Sequence, residues 1–240
     1  IPKPMIRVGD KPILHHILEI YLNQGFKQFY ILGGYKCEVI MNYFRSFCGE
    51  VNELKISNKN NSFFYEEKFE KKNNFNALYN EANISVINTG LDTMTGGRLG
   101  RVLPLLNSDQ FLLTYGDGLS NVNLKKLITF HKRYKKLITL TAVRPPARFG
   151  AIKLVGNYAK TFKEKSRLDE GWINGGYFVI EPKFLQFIKN DSTYLEKEPL
   201  ETAAKKKQLL AFRHNGFWQC MDTKRDKDNL EKFFKRGKFF

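Results

Sequence analysis

Three short apolar runs in the first half of the chain each stop on glycine: "FKQFYILGG", "NISVINTG" and "QFLLTYGDG". Each is rich in β-branched and aromatic residues and too short for a buried helix, so each reads as a strand that ends in a loop. Around them, apolar residues recur at helical spacing. Ile13, Leu14, Ile17, Leu18 and Tyr21 follow Asp10, a candidate cap, with Pro12 in the first turn and Gly25 as the stop. A second helix is expected from roughly Lys36 to Phe47, and "LKKLITFHKRYKK" reads as an amphipathic one. "GGRLGRVLPLL" starts as a helix that Pro104 kinks or ends. This alternation over the first two thirds predicts a mostly parallel sheet with helices on both faces.

"LITLTAV" is a further strand of that alternating part, and the last third mixes short strands ("AIKLV", "WINGGYFVI", "LLAFRH") with helices near 182–189, 196–207 and 223–236. At 240 residues the chain reads as a single domain, 1–240. Residues 49–83, polar and asparagine-rich, read as a variable excursion of that domain, and 223–236 as its C-terminal helix.

Composition narrows the function classes. No run of about 18 uncharged apolar residues is present, so no membrane span is expected. Three cysteines, Cys37, Cys48 and Cys220, without CxxC spacing argue against a disulfide framework or a zinc site, and fit the cytoplasm. The net charge of +16 is spread over scattered lysines, which read as solvated faces rather than a nucleic-acid surface. His15 and His16 lack metal-ligand spacing, and no GxSxG, HExxH or Walker pattern occurs.

In an open α/β sheet the ligand lies beyond the carboxyl ends of the strands, which directs attention to the loops that follow them. "TYGDGLS" sets Asp117 between Gly116 and Gly118: either a polar turn or a carboxylate for a hard cation such as Mg²⁺. "GFWQCMDTKRD" offers a second carboxylate, Asp222, although Asp-Thr ahead of a helix is an ordinary cap. "TGLDTMTGGRLGR" joins a glycine pair to Arg98 at a helix start, a place where N–H groups and a guanidinium can hold an anion. "FKEKSR" gives Lys165 as a phosphate candidate, and "WINGGYF" gives Asn174 as a neutral partner for hydroxyls.

These stretches, with "PKPMIRVGDKPIL", "GFKQFYILGGYK", "PPARFGAI", "EPL" and "GFWQCMDT", run in order over almost the whole chain. As a set they resemble the sugar nucleotidyltransferases, and "MTGGRL" with "GFWQ-MDT" resembles the glucose-1-phosphate cytidylyltransferase branch. The resemblance implies a Rossmann-like, glycosyltransferase-A-like three-layer sandwich with a mostly parallel mixed sheet. It implies transfer of a cytidylyl group from CTP to glucose 1-phosphate, giving CDP-glucose and pyrophosphate for surface-polysaccharide sugars. Another nucleotide sugar, or an inactive nucleotide-binding homologue, are the alternatives. Such chemistry brings two polyanions together, so positioning, which can supply roughly 7–11 kcal/mol, and charge neutralisation matter more than a covalent nucleophile.

Carried over by the resemblance, Asp117 and Asp222 hold Mg²⁺, and Lys3, between Pro2 and Pro4, reaches the nucleotide phosphates. Thr93, Arg98 and Gly116 fall on the nucleotide side. Glu164, Lys165 and Asn174 fall on the sugar-phosphate side. A symmetric homo-oligomer, with no nucleic-acid or membrane partner, is implied as well. Three departures stand out. Ser166 and Cys220 replace prolines usual at those points, and the family's leading strand with its GGxGTRL loop is expected to be missing ahead of Ile1.

Overall fold

The structure, a computed structural model, describes residues 1–48, 50–57, 63–70, 82–106, 108–145, 151–163 and 171–237. The chain opens with a single 3-10 turn at Lys3–Met5 and a tiny hairpin, β1 (Arg7–Val8) and β2 (Lys11–Pro12). Then come α1 (Ile13–Leu22), β3 (Gln28–Gly33), α2 (Cys37–Cys48), β4 (Glu50–Ser57), β5 (Phe63–Glu70) and β6 (Asn83–Asn88). The middle comprises α3 (Thr95–Val102), β7 (Phe111–Thr114), β8 (Gly118–Ser120), α4 (Leu124–Tyr134) and β9 (Ile138–Val143). The rest is β10 (Ala151–Val155), β11 (Tyr158–Lys163), β12 (Ile173–Ile180), a 3-10 helix at Pro182–Phe187, α5 (Glu198–Lys205), β13 (Leu209–His214), β14 (Trp218–Cys220) and α6 (Lys224–Lys235).

The α/β class holds, but the sheets are mixed rather than mostly parallel as expected, because β12 and the β4–β5 hairpin enter them antiparallel. One four-stranded sheet runs β13-β9-β12-β7 and the other β3-β6-β5-β4. Among the described residues only β3–β6 and β9–β13 pair in parallel within them; β12 lies antiparallel to both its neighbours. The remaining antiparallel ladders come from residues 49–83, where β4 and β5 form a long hairpin whose second strand pairs with β6. The expected excursion is therefore, in its strands, an extension of the sheet. Its backbone hydrogen bonds stabilise it without a legible apolar alternation. Short ladders β8–β14 and β10–β11 complete the pairing.

Helix α1 ties the layers together. Ile13, Ile17, Ile20 and Tyr21 enter one apolar cluster with Leu119, Leu127 and Tyr177, while Leu14, Leu18 and Leu22 enter another with Ile40, Phe44 and Val86. Buried on nearly every face, it is apolar beyond the one-sided stripe of a surface helix. Its two histidines are part of the packing: His15 Nδ1 meets the Tyr43 hydroxyl at 2.7 Å, and His16 Nε2 donates to the Val8 carbonyl at 2.8 Å.

Asp10 does not cap α1. It sits in the β1–β2 turn, where its carbonyl accepts from the Arg7 guanidinium, and Pro12 is the residue ahead of the helix rather than inside its first turn. Gly9, at φ +65°, makes that turn possible and so displaces Asp10 from the cap. Pro104 acts as expected: α3 ends at Val102 and a 3-10 turn follows over Leu103–Leu105. A cavity of about 730 Å³ lies between β3 and β7, walled by apolar side chains such as Leu14, Ile17, Ile31, Leu99 and Leu112.

Candidate active site

Lys3 leaves the backbone from a turn closed by Met5 N–H to the Pro2 carbonyl and Ile6 N–H to the Lys3 carbonyl. The flanking prolines restrict the backbone there, so the chain direction at Lys3 is set locally. Its ammonium donates to Oδ2 of Asp117 at 2.7 Å and to Oδ1 of Asp222 at 2.6 Å.

Asp117 follows β7 and precedes β8. Asp222 arrives through the β8–β14 ladder, in which Cys220 pairs with Gly118, and through Met221 N–H donating to the Asp117 carbonyl. Two carboxylates far apart in sequence thus converge on one point. Burial works against the Lys3 charge, but hydrogen bonds to Asp117 and Asp222 outweigh it and raise its pKa above the ordinary lysine value.

The cap and the carboxylate prove to be different residues. Thr223 caps α6: its hydroxyl accepts from Asp226 N–H, and the Asp226 carboxylate accepts from Thr223 N–H. Asp222 is left to face Lys3 and Cys220, whose thiol donates to Oδ2 at 3.1 Å. Burial, then the Asp222 hydrogen bond, push that thiol up to about 12, so it stays protonated and able to donate.

Beside this pair lies a cleft of about 400 Å³ lined by Tyr115, Asp117, Asn174, Gly175, Trp218 and Asp222, among others. Its floor is a bulge in β12, where the register against β9 shifts between Asn174 and Phe178. Gly176, at φ +77°, carries the bulge, and a Cβ there would lie 2.7 Å from the Tyr115 ring. Asn174 Oδ1 accepts from Gly176 N–H at 2.9 Å, and its Nδ2 donates to the Tyr115 hydroxyl at 3.2 Å. Trp218 Nε1 donates to the Gly175 carbonyl at 2.8 Å. Trp172, next in sequence to Ile173 of the cleft lining, has the Arg144 and Arg213 guanidinium groups 4.8 and 5.7 Å from its ring centre.

The glycine-rich start of α3 is organised differently from an open anion site. Gly96 N–H and Gly97 N–H donate to the Thr193 carbonyl, and Met94 N–H to the Asp191 carbonyl. One Arg98 nitrogen donates to the Gly33 carbonyl, the Thr89 hydroxyl and the Gly90 carbonyl at 2.6–2.9 Å. Arg98 therefore binds the β3 and β6 loops together, and Thr93 is buried in the same loop. Gly116 packs against Pro4: a Cβ would fall 2.9 Å from its Cγ. Glu164 and Lys165 lie outside the described residues.

Sequence reasoning missed Tyr115, Trp218 and Arg101, whose guanidinium pairs with Asp191 at 2.6 Å and reaches the Thr89 carbonyl. The first two were signalled only by aromatic rings next to the "GDG" and "CMD" loops. Arg101 was indistinguishable from a solvent arginine.

Asp117 and Asp222 suit a hard divalent cation, since they already hold one ammonium between them and such ions take one or two carboxylates plus phosphate oxygens. Among the described residues no group of three or more potential ligand side chains gathers. No helix among them is long and apolar enough to cross a membrane.

A mixed α/β sheet sets Lys3, Asp117 and Asp222 beside a cleft that holds the Asn174 carboxamide, an arrangement whose charges suit the handling of phosphate groups. The chain belongs to the nucleotidyl transferase family, which matches residues 35–223. It is 42% identical over 238 residues to the glucose-1-phosphate cytidylyltransferase of Salmonella typhi, covering 99% of this chain and 89% of that protein. It is 37% identical, over the same shares, to a probable glucose-1-phosphate cytidylyltransferase of Bacillus subtilis. The crystal structure of HddC from Yersinia pseudotuberculosis shares the fold, with a TM-score of 0.67 at 18% identity, covering 98% of this chain and 90% of that one.

Proposed function

We propose that this nucleotidyltransferase moves a cytidylyl group from CTP to α-D-glucose 1-phosphate, releasing pyrophosphate and forming CDP-glucose. The observation that carries the reaction type is the convergence of Asp117 and Asp222 on the Lys3 ammonium beside the Asn174 cleft. The likeness to named cytidylyltransferases supports the base and the sugar.

An oxygen of the sugar phosphate attacks the α-phosphorus of CTP in line. The bond from the α-phosphorus to the bridging oxygen breaks, and pyrophosphate carries away that electron pair. Mg²⁺ held by Asp117 and Asp222 would supply charge neutralisation at the α-phosphate. Lys3 supplies a second positive charge to the phosphates. Asn174, already oriented by Gly176 and Tyr115, presents a neutral amide to sugar hydroxyls. Burial, and Glu196 nearby, raise the Tyr115 pKa, so its hydroxyl stays protonated and can serve as a fixed dipole. Arg98 and Thr93 shape the loop that faces the nucleotide.

The test is pyrophosphate release from CTP, glucose 1-phosphate and Mg²⁺, with UTP, dTTP and GTP as competitors for the base. Turnover with CTP alone among these is expected. Comparable turnover with UTP or dTTP would reject the cytidylyl assignment, and none with any of them would reject the reaction.

A further inference from the structure

We infer that Lys3 is the resident cation of the Asp117–Asp222 pair: it holds the two carboxylates together and must yield its place before a divalent cation can bind there. The inference rests on the reading of these aspartates as the metal pair.

Two like charges drawn to one point need a counter-charge between them. Here that charge is one ammonium, 2.7 Å from one carboxylate and 2.6 Å from the other. A divalent ion bound by the same oxygens needs contacts of about 2.0–2.1 Å for Mg²⁺, so it cannot share the point with the ammonium. The two occupants therefore exclude one another.

The geometry also gives Lys3 a means of leaving. Pro2 and Pro4 restrict its backbone, while a flexible four-carbon stem, 38% exposed, carries the charge. Released from the carboxylates, the ammonium needs another anion, and a nucleoside triphosphate supplies one. Nucleotide then favours metal binding by giving Lys3 an alternative partner, and metal favours nucleotide by the same factor, since such coupling is reciprocal. The bridge would so discourage metal uptake by the enzyme without its nucleotide.

The test reads Mn²⁺ binding to the protein without nucleotide, by the loss of the free Mn²⁺ electron spin resonance signal. Lys3→Met removes the competing charge and should bind Mn²⁺ about tenfold more tightly than the unaltered chain. Asp117→Asn should abolish the tight site in either background. If Lys3→Met binds no more tightly while binding still depends on Asp117, the resident-cation inference fails and the metal pair stands. If Asp117→Asn changes nothing in either background, the metal pair fails and takes the inference with it. A second measurement needs no substitution. Acetylation of Lys3 by an activated ester, mapped by mass spectrometry against the other lysines, should accelerate several-fold with saturating Mg²⁺. An unchanged rate overturns the inference.

Discussion

The Arg98 guanidinium and the Thr89 hydroxyl meet at 2.6 Å, and the same nitrogen also reaches the carbonyls of Gly33 and Gly90. One arginine thus ties the end of β3 to the end of β6 directly beneath the α3 loop. A lysine keeps the charge but carries it on one nitrogen nearer its own backbone, so it falls short of these acceptors and loses the second nitrogen's contact with the Leu91 carbonyl at 3.4 Å. Arg98→Lys is expected to cost about 1–2 kcal/mol in urea unfolding and to raise the Michaelis constant for CTP more than it lowers kcat. An unchanged unfolding midpoint would show that the loop is held by other contacts.

Asp117→Asn should lower pyrophosphate release by at least about a hundredfold, the scale of losing a main electrostatic group at the reacting centre. Stability should change little. Its ion pair with Lys3 is partly exposed, at 38% and 30% for the two side chains, and such pairs contribute about 1 kcal/mol or less. Circular dichroism melting and an activity assay on the same preparation separate the two effects.

Gly176→Ala tests the bulge under the cleft. At φ +77° a side chain is strained, and its Cβ would press on Tyr115. A loss of about 1–3 kcal/mol in thermal or urea unfolding is expected. The Michaelis constant for glucose 1-phosphate should rise with it, because Asn174 takes its orientation from the Gly176 N–H.

Acid should destabilise the fold in two windows. Burial lowers the pKa values of His16, His131 and His214 below the ordinary 6.5, so the unfolded chain takes up protons first as the pH falls. Stability present above pH 6.5 is then lost as the pH drops towards the depressed folded values. Glu19 acts lower down. Burial opposes its charge, but hydrogen bonds from His15 and Lys11 outweigh that and bring it from 4.5 to about 2. Its contribution is complete above 4.5 and disappears as the pH falls towards 2. Melting temperatures from pH 8 to pH 3 should fall in both steps, and His131→Gln should diminish the upper one.

The glycine-terminated strands and the amphipathic helices were legible because one face of each must be buried, and that requirement is written as periodicity. The hairpin of β4 and β5 was not legible, since backbone pairing with β6 leaves little trace in side-chain pattern. The place of Asp117 in a loop straight after a strand was readable from its glycine neighbours; its contact with Lys3 was not. Asp222 was obscured by Thr223, because an Asp-Thr pair ahead of a helix offers two caps and Thr223 alone is the one used. Arg98 was readable as a residue of the site's loop. Its role there was not, because the carbonyls that engage it come from the ends of two strands distant in sequence.

The small hairpin after Lys3 has a consequence at the other end of the chain. Gly9 N–H donates to the Glu231 carboxylate at 3.1 Å, and the Phe234 ring packs edge-on to His16, so α6 clasps the segment that aims the lysine. The same helix begins just after Asp222. The meeting point of Lys3, Asp117 and Asp222 is therefore a seam sewn from segments far apart in the sequence. Damage to α6 would unstitch it from both sides at once, loosening Lys3 and Asp222 together, whereas the β4–β5 hairpin could change length without reaching it.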